Sequence, residues 1–148
     1  MSRQQRAARR GATPGSPVIL DAGALIALVD GSPKLIAFLT ALRRADYRVV
    51  IPAVVLVEVL TGKPTDAAVN RVITQAAEVP ASDEARCRFA ATLRAATPGA
   101  SAIDALVIAE AAAAPAGLDP IVLTFDPHLA SLASTSKRRI AVPDLHNV

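Results

Sequence analysis

Apolar residues in this chain fall into two alternating patterns. Short unbroken runs of branched residues occur at VIL (18–20), YRVVIP (47–52) and PIVLTFD (120–126), and each predicts a strand buried on both faces. Longer stretches between them repeat apolar positions at helical spacing. The segment ALIALVD reads as a short helix ended by Gly31, and Pro33 opens a second helix that runs through about residue 45. Pro52 suits the first turn of a helix on AVVLVEVLTG, which Gly62 terminates. Further helices are predicted over 65–76 and 82–95, the latter capped by Ser82 or Asp83, with a short strand at AEVPA between them. The turn TPGAS leads into a strong helix, AIDALVIAEAAAA, and after the strand PIVLTFD come a helix on PHLASLA and a last strand, RRIAVPD. Parallel strands need helical crossovers, so the alternation predicts a three-layer α/β/α domain around a five-stranded parallel sheet. No repeat or composition break divides it, and the expected organisation is a basic arm over 1–16 and one domain over 17–148.

Composition sharpens the picture. The chain is 52% hydrophobic but only 3% aromatic, so its core must be built from Val, Leu, Ile and Ala. Net charge is +3, yet Arg3, Arg6, Arg9 and Arg10 lie in the arm, leaving 3 − 4 = −1 for the rest. A single cysteine, Cys87, excludes an internal disulfide framework and reads as a small core residue. His128 and His146 are too few for a histidine-rich zinc site, so any metal here is held by oxygen. The basic start followed by apolar residues imitates a signal peptide, but Asp21 interrupts the apolar part, and a charge at a membrane centre costs about 2.5 to 3.5 kcal/mol. No other apolar run approaches the roughly 20 residues of a spanning helix. The expectation is a cytoplasmic protein with no membrane segment.

Four carboxylates then stand out. In open parallel sheets ligands bind beyond the carboxyl ends of the strands, and Asp21 directly follows the first strand while Asp126 ends PIVLTFD. Glu58 is the only charge in IPAVVLVEVL, and helical spacing places it on a face with Val54, Val55 and Thr61, turned toward apolar neighbours. Asp104 shares a helix face with Val107, Ile108 and Ala111. Each acid has a local explanation too: Asp21 and Asp126 as helix caps, Asp104 as a first-turn acid beside a Ser101 cap, and Glu58 as a solvated residue. Together, four carboxylates on one rim would repel one another and raise each other's pKa, which a bound cation relieves. Mg²⁺ and Mn²⁺ prefer such oxygen ligands and usually share them with a substrate phosphate, which points to metal-assisted phosphodiester hydrolysis.

The segments VILDAGALIAL, VIPAVVLVEVL, SAIDALVIAEA and LTFDPHLASLA together resemble the four acidic motifs of PIN-domain ribonucleases, specifically the VapC toxins of VapBC toxin–antitoxin modules. The resemblance runs from about residue 18 to 142, with the motifs in the family's order and approximate spacing. It implies a five-stranded parallel sheet, Mg²⁺- or Mn²⁺-dependent cleavage of RNA, a homodimer and a cognate VapB-like antitoxin. It also implies that Asp21, Glu58, Asp104 and Asp126 form the acidic cluster, with Asp21 and Asp104 as direct metal ligands. Glu58 and Asp126 would then coordinate directly or through water and orient the attacking hydroxide, and Thr124 matches the hydroxyl residue two positions before the fourth acid. One departure is plain: relatives commonly carry Ser or Thr and then Ser or Asn after the first acid, whereas this chain has Ala22 and Gly23. Such outer partners typically carry 10 to 100-fold in metal affinity or activity, so a weak or inactive RNA- or protein-binding module is the alternative.

Remaining features add less. The arm and the cluster Arg43, Arg44, Arg48, Arg86, Arg88 and Arg94 offer positive surface for RNA phosphates, although charges on amphipathic helices are mostly just solvated. His128 stands two residues past Asp126, where it can reach substrate, while His146 is expected at a frayed end. Glu110, six residues beyond Asp104, should point away from the rim. A phosphoacceptor receiver domain wants paired acids after its first strand and a late lysine, and the chain has neither arrangement.

Overall fold

The computed structural model describes residues 13–147, so residues 1–12 of the expected arm lie outside the described residues. Thr13 to Ser16 form a turn tied to the domain: the Gly15 N–H donates to the Asp46 carbonyl at 2.9 Å, and the buried Ser16 hydroxyl accepts the Asp119 N–H at 2.9 Å. Strand β1 (Pro17–Leu20) follows and is the centre of the sheet. It runs parallel to β2 (Arg48–Val50) on one side and β3 (Ile121–Leu123) on the other, with Ile19 opposite both Val50 and Val122. Val18, Ile19, Leu20, Val49, Val50, Val122 and Leu123 are all buried, which is why these runs are continuously apolar rather than alternating.

The sheet has three strands, not the five expected. Where AEVPA and RRIAVPD were to supply edge strands, the chain makes only isolated parallel bridges: Val50 to Glu78 on one side, and Ile121 to Ala141 and Thr124 to Asp144 on the other. Prolines account for the shortfall. Pro80 and Pro143 have no N–H to give, so neither segment can extend its ladder beyond a bridge or two.

Helix α1 (Ala22–Val29) and helix α2 (Pro33–Arg44) link β1 to β2, with Gly31 in a left-handed turn between them. The helix expected on AVVLVEVLTG is instead a 3-10 turn, Ala53–Val55, followed by a single α turn, α3 (Leu56–Val59). After another 3-10 turn, Pro64–Asp66, come α4 (Ala67–Thr74), α5 (Glu84–Ala96) and α6 (Ala102–Ala112). Beyond β3, α7 (His128–Thr135) leads to the edge segment and a closing 3-10 turn, Leu145–Asn147. The core joins the strand residues to Leu25, Phe38, Leu39, Leu42, Val107, Ile108, Leu129 and Leu132. Cys87 is exposed rather than buried, because α5 turns Ala90 and Leu93 inward instead. No single helix is long and apolar enough to cross a membrane among the described residues.

Strand order β2-β1-β3 places the functional rim. From β1 the chain crosses to β2 on one side, while from β3 it leaves toward residues 141–144 on the other. The connections diverge between β1 and β3, and the crevice beyond their carboxyl ends is the switch point where such sheets bind ligands.

Candidate active site

Asp21 is the first residue after β1, and its N–H donates to the Leu123 carbonyl at 3.2 Å, which seats it between the ends of β1 and β3. Its side-chain Oδ1 accepts the Ala24 N–H at 2.8 Å and caps α1. Only 7% of Asp21 is exposed. Thr124, 4% exposed, stands at the end of β3; its hydroxyl accepts the Asp126 N–H at 2.9 Å and also favours the ionised form of Asp21. Asp126 in turn accepts the His128 N–H through Oδ1 at 2.9 Å. Asp104 lies in the first turn of α6, whose cap Ser101 accepts the Asp104 N–H at 3.0 Å.

The local roles foreseen for Asp21 and for the Ser101 cap beside Asp104 are therefore real, and they aim the acids rather than consume them. All four, Asp21, Glu58, Asp104 and Asp126, line one cavity of about 510 Å³. Ser101 and Phe125 line it as well, and among the described residues no lysine or arginine does. Glu58 reaches it from the solvent side: it is exposed, while Val55 and Val59 take the buried positions. The expectation of an inward face failed because the segment is two tight turns of different pitch, so a steady 100° step per residue does not apply.

Burial, above all, raises the Asp21 carboxyl above the ordinary value of 3.8, and the charges of Asp104 and Asp126 push the same way against the Thr124 and Ala24 hydrogen bonds. Asp104 is raised as well, first by burial and then by Asp126, with the Ser101 hydroxyl and His128 opposing. The site thus gathers more negative charge than its surroundings neutralise. Among the described residues no three carboxylate, imidazole or thiol groups converge closely enough to hold one ion between them. The donors that line the cavity are carboxylate oxygens, which suit a hard cation of the Mg²⁺ type that binds through one or two carboxylates and keeps several waters.

Several expected contributors do other work. Arg48 pairs with Glu78 at 3.1 Å, Arg86 with Glu110 at 3.1 Å and Arg88 with Glu84 at 2.7 Å, so half of the arginine cluster is engaged in ion pairs. Glu110 does point away from the rim, as its helical position required. His146 is not at a frayed end: it sits in the closing 3-10 turn with its ring 5.4 Å from that of Phe125. Phe125 itself was overlooked in the sequence. The signal was there, since one of only three phenylalanines stands between two rim residues, Thr124 and Asp126.

The structure defines a parallel α/β domain with an acidic cavity at its switch point. The PIN domain family matches residues 18–134, well over half of the chain, and the chain belongs to that family. PIN domains are generally nucleases and typically depend on divalent metal ions, so nucleic acid is the class of ligand that the family brings. No curated protein matches the chain significantly.

Proposed function

We propose that the protein is a divalent-metal-dependent endoribonuclease, the toxin of a type II toxin–antitoxin pair, acting in the cytoplasm as a homodimer and silenced by a VapB-like antitoxin. The observation that carries the nuclease reading is the single cavity lined by Asp21, Glu58, Asp104 and Asp126, with no lysine or arginine lining it among the described residues. Asp21 and Asp104 are the direct metal ligands in this reading, and Glu58 and Asp126 bind directly or through water. A bound Mg²⁺ or Mn²⁺ supplies a water of lowered pKa and neutralises charge on the phosphoryl oxygens. Thr124 holds the Asp126 backbone through its hydroxyl oxygen and favours the ionised Asp21 carboxylate, so one side chain acts on two of the acids. Asp126 spends one oxygen on the His128 N–H, and its second is free to orient the attacking water. Support for partner chains comes from Ile26, Ile36 and Val57, large apolar side chains exposed on α1, α2 and α3, of which α1 touches both others.

The test is cleavage of single-stranded RNA by the EDTA-treated protein with and without added Mg²⁺ or Mn²⁺. Activity should require the ion and fall more than about 100-fold in Asp104→Asn, beyond what loss of an outer partner costs. Metal-independent cleavage, or full activity in the variant, contradicts the reading.

A second reading, a PIN domain that binds RNA or protein with weak or no catalysis, is favoured by Ala22 and Gly23. The backbone does not demand glycine there: a Cβ at Gly23 would lie 3.6 Å from Asp21 Oδ1 and 3.9 Å from Phe125, ordinary contact distances. Gly23→Ser therefore fits, and its hydroxyl can reach the carboxylate. If the missing hydroxyl limits activity, the variant gains about 10-fold in metal affinity or turnover; no gain and no wild-type turnover together favour the binding module.

A further inference from the structure

Behind Phe125 lies a second pocket, of about 260 Å³, lined by Ser32, Lys34, Leu35, Phe125, Leu145 and His146. Phe125 belongs to both this pocket and the acidic cavity, so the two adjoin across one ring. We propose that this pocket receives a nucleobase of the RNA strand whose phosphate lies over Asp21 and Asp104. The assignment rests on the nuclease reading and adds where the strand runs.

The chemistry of the walls carries it. Phe125 and His146 meet edge to face, with an interplanar angle of 65°, and present aromatic surface on which a base can stack. His146 is held in place from two sides: its N–H donates to Asp144 Oδ1 at 3.0 Å, and Nε2 lies 3.4 Å from the Phe125 carbonyl oxygen. Buried Leu35 and Leu145 supply the apolar floor that a base displaces water from. Ser32 caps α2 by accepting the Leu35 N–H, which leaves its own O–H as a donor toward the pocket. Lys34 is exposed and forms no ion pair among the described residues. Lys34 lines this pocket and, beside a cavity lined by four acids, offers an ammonium to an adjacent phosphate of the strand.

The experiment measures binding of a labelled single-stranded oligoribonucleotide, and of the same oligonucleotide with abasic positions, by fluorescence anisotropy in Mg²⁺. The Asp104→Asn protein is the background, so that cleavage does not intervene and the strand is held by the base pocket and Lys34 rather than by a metal at the acidic rim. His146→Ala should weaken the base-bearing strand about 10-fold while leaving the abasic strand unchanged, as expected for loss of one stacked base. Lys34→Gln should weaken both strands alike and flatten the salt dependence. Both side chains are exposed, so neither change threatens the fold. Equal affinity of the background protein for the two strands, or an equal effect of His146→Ala on both, overturns the base pocket and leaves metal-dependent cleavage by the wild type standing. Absence of that cleavage in the wild type overturns the nuclease reading and the pocket with it.

Discussion

Two buried aspartates in this molecule have opposite electrostatics, and the contrast separates structure from function. Asp66 closes the turn after α3: its carboxylate accepts the Thr61 N–H at 3.0 Å, the Thr61 hydroxyl at 2.8 Å and the Gly62 N–H at 2.8 Å. Those donors, led by the Thr61 hydroxyl, hold its carboxyl below the usual range. Asp21 is raised instead, first because burial desolvates its carboxyl far more than that of Asp66, and further by the neighbouring charges of Asp104 and Asp126, which its local hydrogen bonding does not offset. A carboxylate with its donors around it is a fold element. One with too few donors and too many acids is a site waiting for a cation.

Substitution at the two positions is the sharpest way to break that contrast. Asp21→Asn keeps a capping side chain on α1 and removes a buried charge, so thermal unfolding should show an unchanged or higher Tm while RNA cleavage falls by more than about 100-fold. Asp66→Asn should do the reverse, lowering Tm by loss of a charge-assisted cap while the folded protein still cleaves. A Tm lowered by Asp21→Asn and spared by Asp66→Asn erases the distinction.

Thr124→Val tests how the rim is held. Valine fits the buried space but abolishes the hydrogen bond accepted from the Asp126 N–H and removes the hydroxyl that favours the ionised Asp21 carboxylate. Metal affinity should drop about 10 to 100-fold, read by titration of Mg²⁺-dependent activity, with a smaller loss at saturating metal.

The smallest effect is in the pH dependence of stability without metal. Asp21 and Asp104, raised when folded, bind protons more tightly in the native state, so stability should fall as pH rises from 3.8 through their folded values. Asp66, lowered when folded, gives stability present above 3.8 and lost as pH falls through its folded value. Denaturant melts across that range should show the first slope shrink in Asp21→Asn, and in the wild type should show it offset when Mg²⁺ is added.

Much of this was legible before any coordinates. The three strands were readable because a segment buried on both faces leaves no choice but unbroken aliphatic residues, as in VIL and PIVLTFD. Acids directly after such runs, Asp21 and Asp126, were readable for the same reason: the pattern ends where the sheet does. The edge strands were not, because apolar content in AEVPA and RRIAVPD says nothing about how far a proline-interrupted ladder extends. Glu58 was placed on the right rim with the wrong exposure, since periodicity assumes a regular helix and the segment is not one. Cys87 and His146 were misjudged because composition and chain position do not reveal which helix face turns inward or how the chain end returns to Phe125.

The claim that most needs testing is that the acidic rim binds a divalent cation. Mn²⁺ binding to the EDTA-treated protein, followed by electron paramagnetic resonance of the free ion, measures it without relying on any substrate. The account predicts a site in the wild type that is lost in both Asp21→Asn and Asp104→Asn and kept in Asp66→Asn. Equal Mn²⁺ binding by the wild type and the two rim variants contradicts it.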